Sequence, residues 1–553
     1  MPTTIREFAH QPGGATEPAP TTEPAPTTEP APTTESAPTT LTVGQERLWF
    51  LDQLDPGDPS YNIPLVLRLT GEPSTEALRA ALDGVVARHE ALRTRFPAED
   101  GRPVAVVDAP APVPLDLADL RGRPDAEVAA ALAARVNRGF DLAAGPLLRA
   151  ALLRTGESEH VLCLVLHHIV ADGWSLGLLR TELADRYAAH RADGRQPELP
   201  APPSYAAHAA AERAWLAGPE AADALAYWRE RLAGAPALDL PLDRPRPTEP
   251  GSAGAFHTRI LRGLGPELDA FARARRLTPF MVLAAAYQAL LHRCTGQDDF
   301  CVGVPTAART TVDSERTIGY FSSALVLRAD LAGAPTFDTL LRRVRTDWLG
   351  ALGHGRVPFE QLAEELRPDR DPGRTPIFQT LLTVHTQSGG ALGEHAFADL
   401  RCVETDGGHT AAKFELALDV RPDGDDLHAV FGYRTDLLDE PWTVRLGRRF
   451  DTLLRAALAA PDTPVHLLPL LDAEELAEAA GGSAGPALPA HPATVLDAID
   501  RAAAEQPDAP ALEAREARLT RAELAAASGA LAARLAAAGV RRGDLVAFHL
   551  PRG

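Results

Sequence analysis

The chain has 553 residues, 45% hydrophobic and 24% charged, with a formal net charge of −20. Such a length accommodates two to four domains, and the composition is that of a globular protein with real cores. The acidic balance excludes a uniformly basic surface, so nucleic acid is not an expected partner.

Residues 16–40 repeat the unit TEPAPT, with Glu17, Glu23, Glu29 and Glu35 in register. Proline at this density blocks helix and sheet, and no large apolar side chain is present to pack. Residues 1–40 are therefore expected to be a disordered leader, with a docking tail for another protein as the alternative reading. Globular patterning starts at residue 41. In "TEALRAALDGVVARHEALRTRF" (75–96), Leu78, Leu82, Val85, Val86, His89 and Leu92 share a helical face. His89 there reads as a core histidine. "HVLCLVLHHIV" (160–170) suits a buried strand. The next stretch carries Leu176, Leu179, Leu183 and Tyr187 on one helix face. "LPLDRPRPTEPGSAG" (240–254) has no period and reads as an exposed loop. "TPFMVLAAAYQALLHRC" (278–294) predicts a buried helix with Pro279 just inside its start. "DFCVGV" (299–304) and "YFSSALVLRADL" (320–331) predict strands. "AAGGSAGPALPAHPA" (479–493) fits an inter-domain linker. Beyond it the pattern is helix, strand, helix, strand, too short to close an α/β domain.

Cys163, Cys294, Cys301 and Cys402 lie far apart with no CxxC spacing. They argue against a zinc site and a disulfide framework, and suggest a reducing, cytoplasmic setting. No uninterrupted apolar run of about 18 residues occurs, so no membrane span is expected. The first residues lack the charged-then-apolar layout of a secretion signal. Lys413 is the only lysine, and beside so many arginines it reads as coding bias rather than function.

The stretch "HHIVADGWS" (167–175) stands where the strand pattern stops. Consecutive strand residues point to opposite faces, so His167 and His168 do not converge on one metal ion. No HExxH or CxxC accompanies them. Gly173 permits backbone angles closed to other residues, so the chain can leave the strand sharply. Asp172 stands where it can cap the following helix or pair with an arginine. A histidine facing a cleft from such a turn is an acid/base arrangement. Position alone leaves open whether it is that or a polar strand end.

"HHIVADG" resembles the HHxxxDG motif of the condensation domains of nonribosomal peptide synthetases. Six further blocks stand in family order. They are "LTVGQERLWFLDQLDPGDPSYNIP" (41–64), "RHEALRTRF" (88–96), "SYAAHAAAERAW" (204–215), "IGYFSSALVLR" (318–328), "HGRVPFEQL" (354–362) and "RDPGRTPIFQTLL" (370–382). The block at 318–328 has Ser322-Ser323 where the family usually has Val-Asn. "LTRAEL" (519–524) resembles the first block of the adenylation domain that usually follows.

The resemblance implies an α/β fold of two chloramphenicol-acetyltransferase-like lobes in a V-shaped pseudo-dimer with a central tunnel. It places the leader at 1–40, the N-lobe at 41–216, the C-lobe at 217–475, a linker at 476–493 and a truncated adenylation start at 494–553. It implies peptide-bond formation between two carrier-bound substrates. The amine of a downstream aminoacyl thioester attacks an upstream peptidyl or acyl thioester. The expected partners are donor and acceptor peptidyl carrier proteins and other synthetase modules, with the domain itself monomeric. No cofactor is expected on this chain, because substrates arrive on phosphopantetheine arms. His168 is the residue the family places in the tunnel, as general base or as the acceptor that aims the amine. Gly173 presents a backbone N–H toward the developing oxyanion, or is a plain turn glycine. His167 and Asp172 support the site, with Arg328 as the first expected partner of Asp172 and Arg93 as the second. Ser175 reads as a first-turn helix residue, since the family mechanism needs no acyl-enzyme. "AGGSAG" (480–485) lacks the flanks of a pantetheinylated serine and reads as linker. "RLWFLDQL", "YNIP" and "HHIVADGWS" look most like the subtype that joins an L-donor to an L-acceptor, and His167 speaks against a heterocyclising relative, which would carry aspartate there. The rival readings are a free-standing acyltransferase with a soluble acceptor, and a degenerate scaffold that only docks carriers. The tail is not expected to adenylate.

Overall fold

The computed structural model describes residues 39–247, 251, 253–366, 374–385, 394–482, 494–514 and 517–550. The Pro/Thr/Glu repeat, residues 370–373 of the last condensation block and residues 483–493 of the linker lie outside the described residues. The chain divides into two compact units, residues 1–470 and 471–553.

Two six-stranded sheets organise the first unit. The first has the order Glu394–Phe397, Leu400–Glu404, Asn62–Thr70, Glu159–His167, Leu148–Arg154, Leu115–Asp119. Strand Glu159–His167 is central, and eight of its nine residues are buried. Its alternation explains that burial. Leu162, Leu164 and Leu166 pack with Leu78, Leu82, Leu179, Leu183 and Tyr187 from helices Thr75–Arg88 and Gly173–Asp193. Val161, Cys163 and Val165 pack on the opposite face with Leu48, Trp49, Leu132 and Val136 from helices Val43–Leu54 and Asp125–Val136. A strand covered on both faces reads as an unbroken apolar run, which is what residues 161–166 present.

The second sheet has the order Ser323–Asp330, Asp299–Thr306, Thr380–Val384, Leu416–Asp423, Asp426–Arg434, Gly254–Leu261. Helices Pro279–Thr295, Phe337–Gly353 and Glu440–Ala459 share one core with it. Thr278 caps the first of these, with Pro279 at its first turn.

Three expectations need correction. The predicted helix over 75–96 stops at Arg88, and His89 leaves helical geometry at φ −105°, ψ 108°. His89 is buried not on a helix face but as a hydrogen-bond partner of Glu182, 2.8 Å away. The division at 216/217 also misses a crossover. Strands Glu394–Phe397 and Leu400–Glu404 leave the second half of the chain and complete the first sheet, with Leu67 to Thr70 paired against Glu404 to Arg401. Third, residues 476–482 of the expected linker continue a helix, Ala473–Gly482.

The second unit also holds helix Val495–Glu505, the antiparallel strands Pro510–Glu513 and Arg518–Thr520, and helix Arg521–Ala537. The last predicted strand does not form. Leu545, Phe548 and Leu550 are exposed, and no described strand neighbours them to complete a ladder.

Candidate active site

The central strand delivers its last residue, His167, opposite Asn62 on the neighbouring strand. A 3-10 turn, His168–Val170, follows at once. Gln45 holds this turn by donating from Nε2 to the Ile169 carbonyl at 3.0 Å. That contact explains the physical use of the block "LTVGQERLWF": its helix is capped by Thr42 and carries Gln45 to the turn.

The two histidines have different surroundings. The Nδ1 of His167 accepts a hydrogen bond from the Ile169 N–H at 3.2 Å, and its ring lies among Tyr61 and Phe140, 6.4 and 6.0 Å between centroids. It is 3% exposed. His168 is half-buried, with its ring edge-on to Tyr320 at 5.1 Å. Its Nδ1 lies 2.8 Å from the Ala171 carbonyl oxygen. A carbonyl only accepts, so Nδ1 carries the proton and Nε2 keeps its lone pair. Burial first, and then Lys413, push His168 down to about 3, so its imidazole is neutral at physiological pH. Burial, His168, Lys413 and Arg149 lower His167 to about 3 as well.

Asp172 is fully buried and caps helix Gly173–Asp193 by accepting from the Ser175 N–H at 2.8 Å. Its arginine is Arg309, not Arg328 or Arg93. Nη2 of Arg309 lies 2.9 and 3.1 Å from the two carboxylate oxygens. It also donates to Ser175 Oγ at 2.9 Å, while Nη1 donates to the Ser314 and Thr317 carbonyls. The guanidinium lies 4.0 Å over the Phe321 ring. The second carboxylate oxygen of Asp172 accepts from the Phe321 N–H at 3.1 Å. Ser175 Oγ donates to the Gly319 carbonyl at 2.9 Å and lies 3.1 Å from the Gly319 N–H. The segment 317–321 is thus bonded to the start of the helix that follows the histidines.

Arg328 cannot reach Asp172. It lies seven residues beyond Phe321 in an extended chain, which separates the two by about 20 Å at roughly 3.3 Å per residue. Its guanidinium forks onto Asp299 at 2.8 and 2.7 Å instead. Arg93 donates to the Asp108 carbonyl at 2.5 Å, within its own lobe. Arg309 escaped the sequence reading because "AARTT" is an aperiodic loop 137 residues from Asp172.

Gly173 also departs from expectation. It is absent from the glycines with positive φ, so no left-handed backbone requires it. A Cβ added there meets nothing within 4 Å, so the space before it is open. Its N–H is the first of the helix and makes no hydrogen bond among the described residues.

A cavity of about 320 Å³ adjoins the site, bordered by Tyr320, Phe321, His208, Trp215, Glu212 and Glu360. Tyr320 lines this space and packs edge-on against the His168 ring. Among the described residues no cluster of three or more metal-ligating side chains occurs, and no helix is long and apolar enough to cross a membrane.

The condensation domain model matches residues 36–478, and the AMP-binding enzyme model matches the short segment 499–553. The chain is 40% identical over 441 residues to phosphinothricin tripeptide synthetase PhsB of Streptomyces viridochromogenes, covering 78% of this chain and 37% of that protein. The chain thus spans about a third of that curated relative. The X-domain from teicoplanin biosynthesis superposes with a TM-score of 0.73 at 29% identity, covering 80% of this chain and 100% of that one. The first condensation domain of the calcium-dependent antibiotic synthetase, solved with a substrate analogue, gives a TM-score of 0.67 at 26% identity, covering 79% of this chain and 100% of that one. The α/β fold with chloramphenicol-acetyltransferase-like lobes is the fold of these neighbours. With its condensation match covering most of its length, the chain belongs to the condensation domain family of nonribosomal peptide synthetases, which are peptide-bond-forming acyltransferases, and carries a short AMP-binding segment behind it.

Proposed function

We propose that this chain joins an L-configured donor to an L-configured acceptor, each delivered on the phosphopantetheine arm of a carrier protein. The observation that carries the reading is the half-buried His168, whose Nδ1–H is spent on Ala171 and whose Nε2 is left as an acceptor. In this reading the acceptor's α-amine donates a hydrogen bond to Nε2 and is aimed at the donor thioester carbon. The nitrogen attacks, the carbon becomes tetrahedral, the C–S bond breaks and an amide forms. The proton lost by nitrogen ends on the departing thiolate. The first N–H of the helix, at Gly173, faces the oxyanion. Asp172 and His167 hold the loop without touching substrate.

The chemical demand on His168 is modest. A free α-amine has a pKa of roughly 7.7–8.0, so a sizeable fraction is neutral near pH 7. Holding both arms in attack geometry accounts for up to roughly 7–11 kcal/mol of barrier. A weakly basic imidazole that aims the amine is sufficient, which fits its lowered basicity.

The test is single-turnover condensation with two loaded carriers, set against one loaded donor carrier and a free amine. Dipeptide on the acceptor carrier only is the expected result. Transfer to free amine at equal rate supports a free-standing acyltransferase, and no transfer in either arm supports a docking scaffold. A D-configured donor condensing as fast as its L-counterpart overturns the subtype.

A further inference from the structure

Residues 405–415 cross from the last strand of the first sheet to strand Leu416–Asp423 of the second. The strap is pinned on the first lobe. The Thr405 N–H donates to the Val66 carbonyl at 2.9 Å, and Asn137 holds the Gly408 carbonyl at 2.8 Å and the Thr410 N–H at 3.1 Å. His409 donates from Nε2 to the Pro59 carbonyl at 3.2 Å. On the second lobe, Ala411 bridges Ala253 and the Gly254 N–H donates to the Thr410 carbonyl. A backbone tied on both sides sets where the side chain of Lys413 points.

Its ammonium lies over the Tyr61 ring at 4.8 Å, and that ring is the neighbour of His167. The groups that feel its charge are His167, His168 and His409, and the carboxylate that offsets it is Asp58. Asp58 is itself engaged with the N–H and hydroxyl of Ser60, at 3.1 and 2.8 Å. No carboxylate stands within ion-pair distance of Lys413 among the described residues, and no hydrogen bond takes up its protons. A cation held from bulk solvent with no ion-pair partner among the described residues is unfavourable until an anion arrives. It is also the single lysine among 55 basic residues. Lysine is a compact, titratable point charge, whereas arginine is permanently charged and forked.

We propose that Lys413 is a further catalytic residue, whose ammonium receives the negative charge that builds on the thioester oxygen when the amine attacks. This rests on the condensation reading above. In the step, the carbonyl π pair moves onto oxygen and is stabilised by the ammonium. It returns as the C–S bond breaks, and Lys413 keeps its proton throughout. Burial lowers the ammonium to about 8, so the charge is lost within an accessible range.

The experiment is single-turnover condensation between two loaded carriers at pH 6.5–9.5, for wild type, Lys413→Met and Lys413→Arg, with melting curves. Wild type should rise as the acceptor amine deprotonates, then fall as Lys413 does. Lys413→Met should lose about 10²–10³ in rate, lack the falling limb and melt no lower than wild type. Lys413→Arg should stay within about tenfold of wild type below pH 8, because it keeps the charge, and should also lack the falling limb. Full rate in Lys413→Met overturns the proposal. So does a slow Lys413→Met with the alkaline limb intact, or a rate loss shared by both variants in step with lowered melting. Failure of wild type to condense at all is a separate result that overturns the condensation reading itself.

Discussion

Asp172 and Arg309 meet without solvent, their side chains 0% and 2% exposed and their closest atoms 2.9 Å apart. The pair joins the loop that follows His168 to the segment after strand Asp299–Thr306. Breaking it strands a buried charge, which costs about 3–5 kcal/mol. Asp172→Ala and Arg309→Ala should both lower melting strongly or fail to yield soluble protein. The double variant should be less damaged than the sum, because no charge is left alone. Thermal melting of the three proteins checks this. A soluble Asp172→Ala with native melting and no activity would instead give Asp172 a direct chemical role.

His168→Ala removes the acceptor on which the proposed attack depends. It should fold normally, since the ring is only half-buried, and condense about 10²–10⁴-fold more slowly. Because His168 is neutral down to about pH 3, wild-type rate between pH 5.5 and 7.5 should follow the acceptor amine, without a histidine limb. Single-turnover rates across that range test both parts. A wild-type inflection near pH 6.5 that moves on changing His168 contradicts the assignment.

How much of this was readable beforehand depends on range. Strand Glu159–His167 declared itself because burial on both faces leaves an apolar run, and the helix from Gly173 because its buried side is periodic. His168 was singled out by its motif. The partner of Asp172 was not, since the motif blocks offered Arg328 while the fold used an arginine from an aperiodic loop. The hairpin 394–404 was invisible for the same reason: its pairing with Leu67–Thr70 is set by register across more than three hundred residues. Lys413 was visible as a singular residue, but only the strap shows what it faces.

Acid should destabilise the first unit before most of its carboxylates titrate, with Glu404, raised to about 6 by burial, the exception. His167 and His168 are lowered to about 3 and His208 to about 4, in each case chiefly by burial. Unfolded histidine titrates near about 6.5. The depressed folded values mean that the unfolded chain binds these protons first. Their contribution is complete above about pH 6.5 and is lost as pH falls toward 4 and 3, by up to about 1.4 kcal/mol per pH unit for each group. Melting should therefore drop between pH 7 and 5. His208→Phe should flatten that slope by one group, since His208 packs on the Phe321 ring at 4.4 Å. An unchanged slope in the variant removes His208 from the account.

Two glycines near the site should respond in opposite ways to one methyl group. A Cβ on Gly139 would stand 1.8 Å from the Gly57 carbonyl oxygen. Backbone cannot step aside as a side chain can, and both segments are held: Asn62 bonds the Val136 and Arg138 carbonyls, and Arg149 bonds that of Gly139 at 2.9 Å. Gly139→Ala should cost about 1–3 kcal/mol or more, and should slow condensation by shifting the turn that carries Tyr61 to His167. Gly173 has ordinary backbone angles and open space in front of it. Gly173→Ala should melt at or above wild type, because alanine is the better helix former. Its N–H remains, so a loss of rate there measures the room that the reacting arm needs. Lowered melting in Gly173→Ala together with native melting in Gly139→Ala would reverse the packing described for both turns.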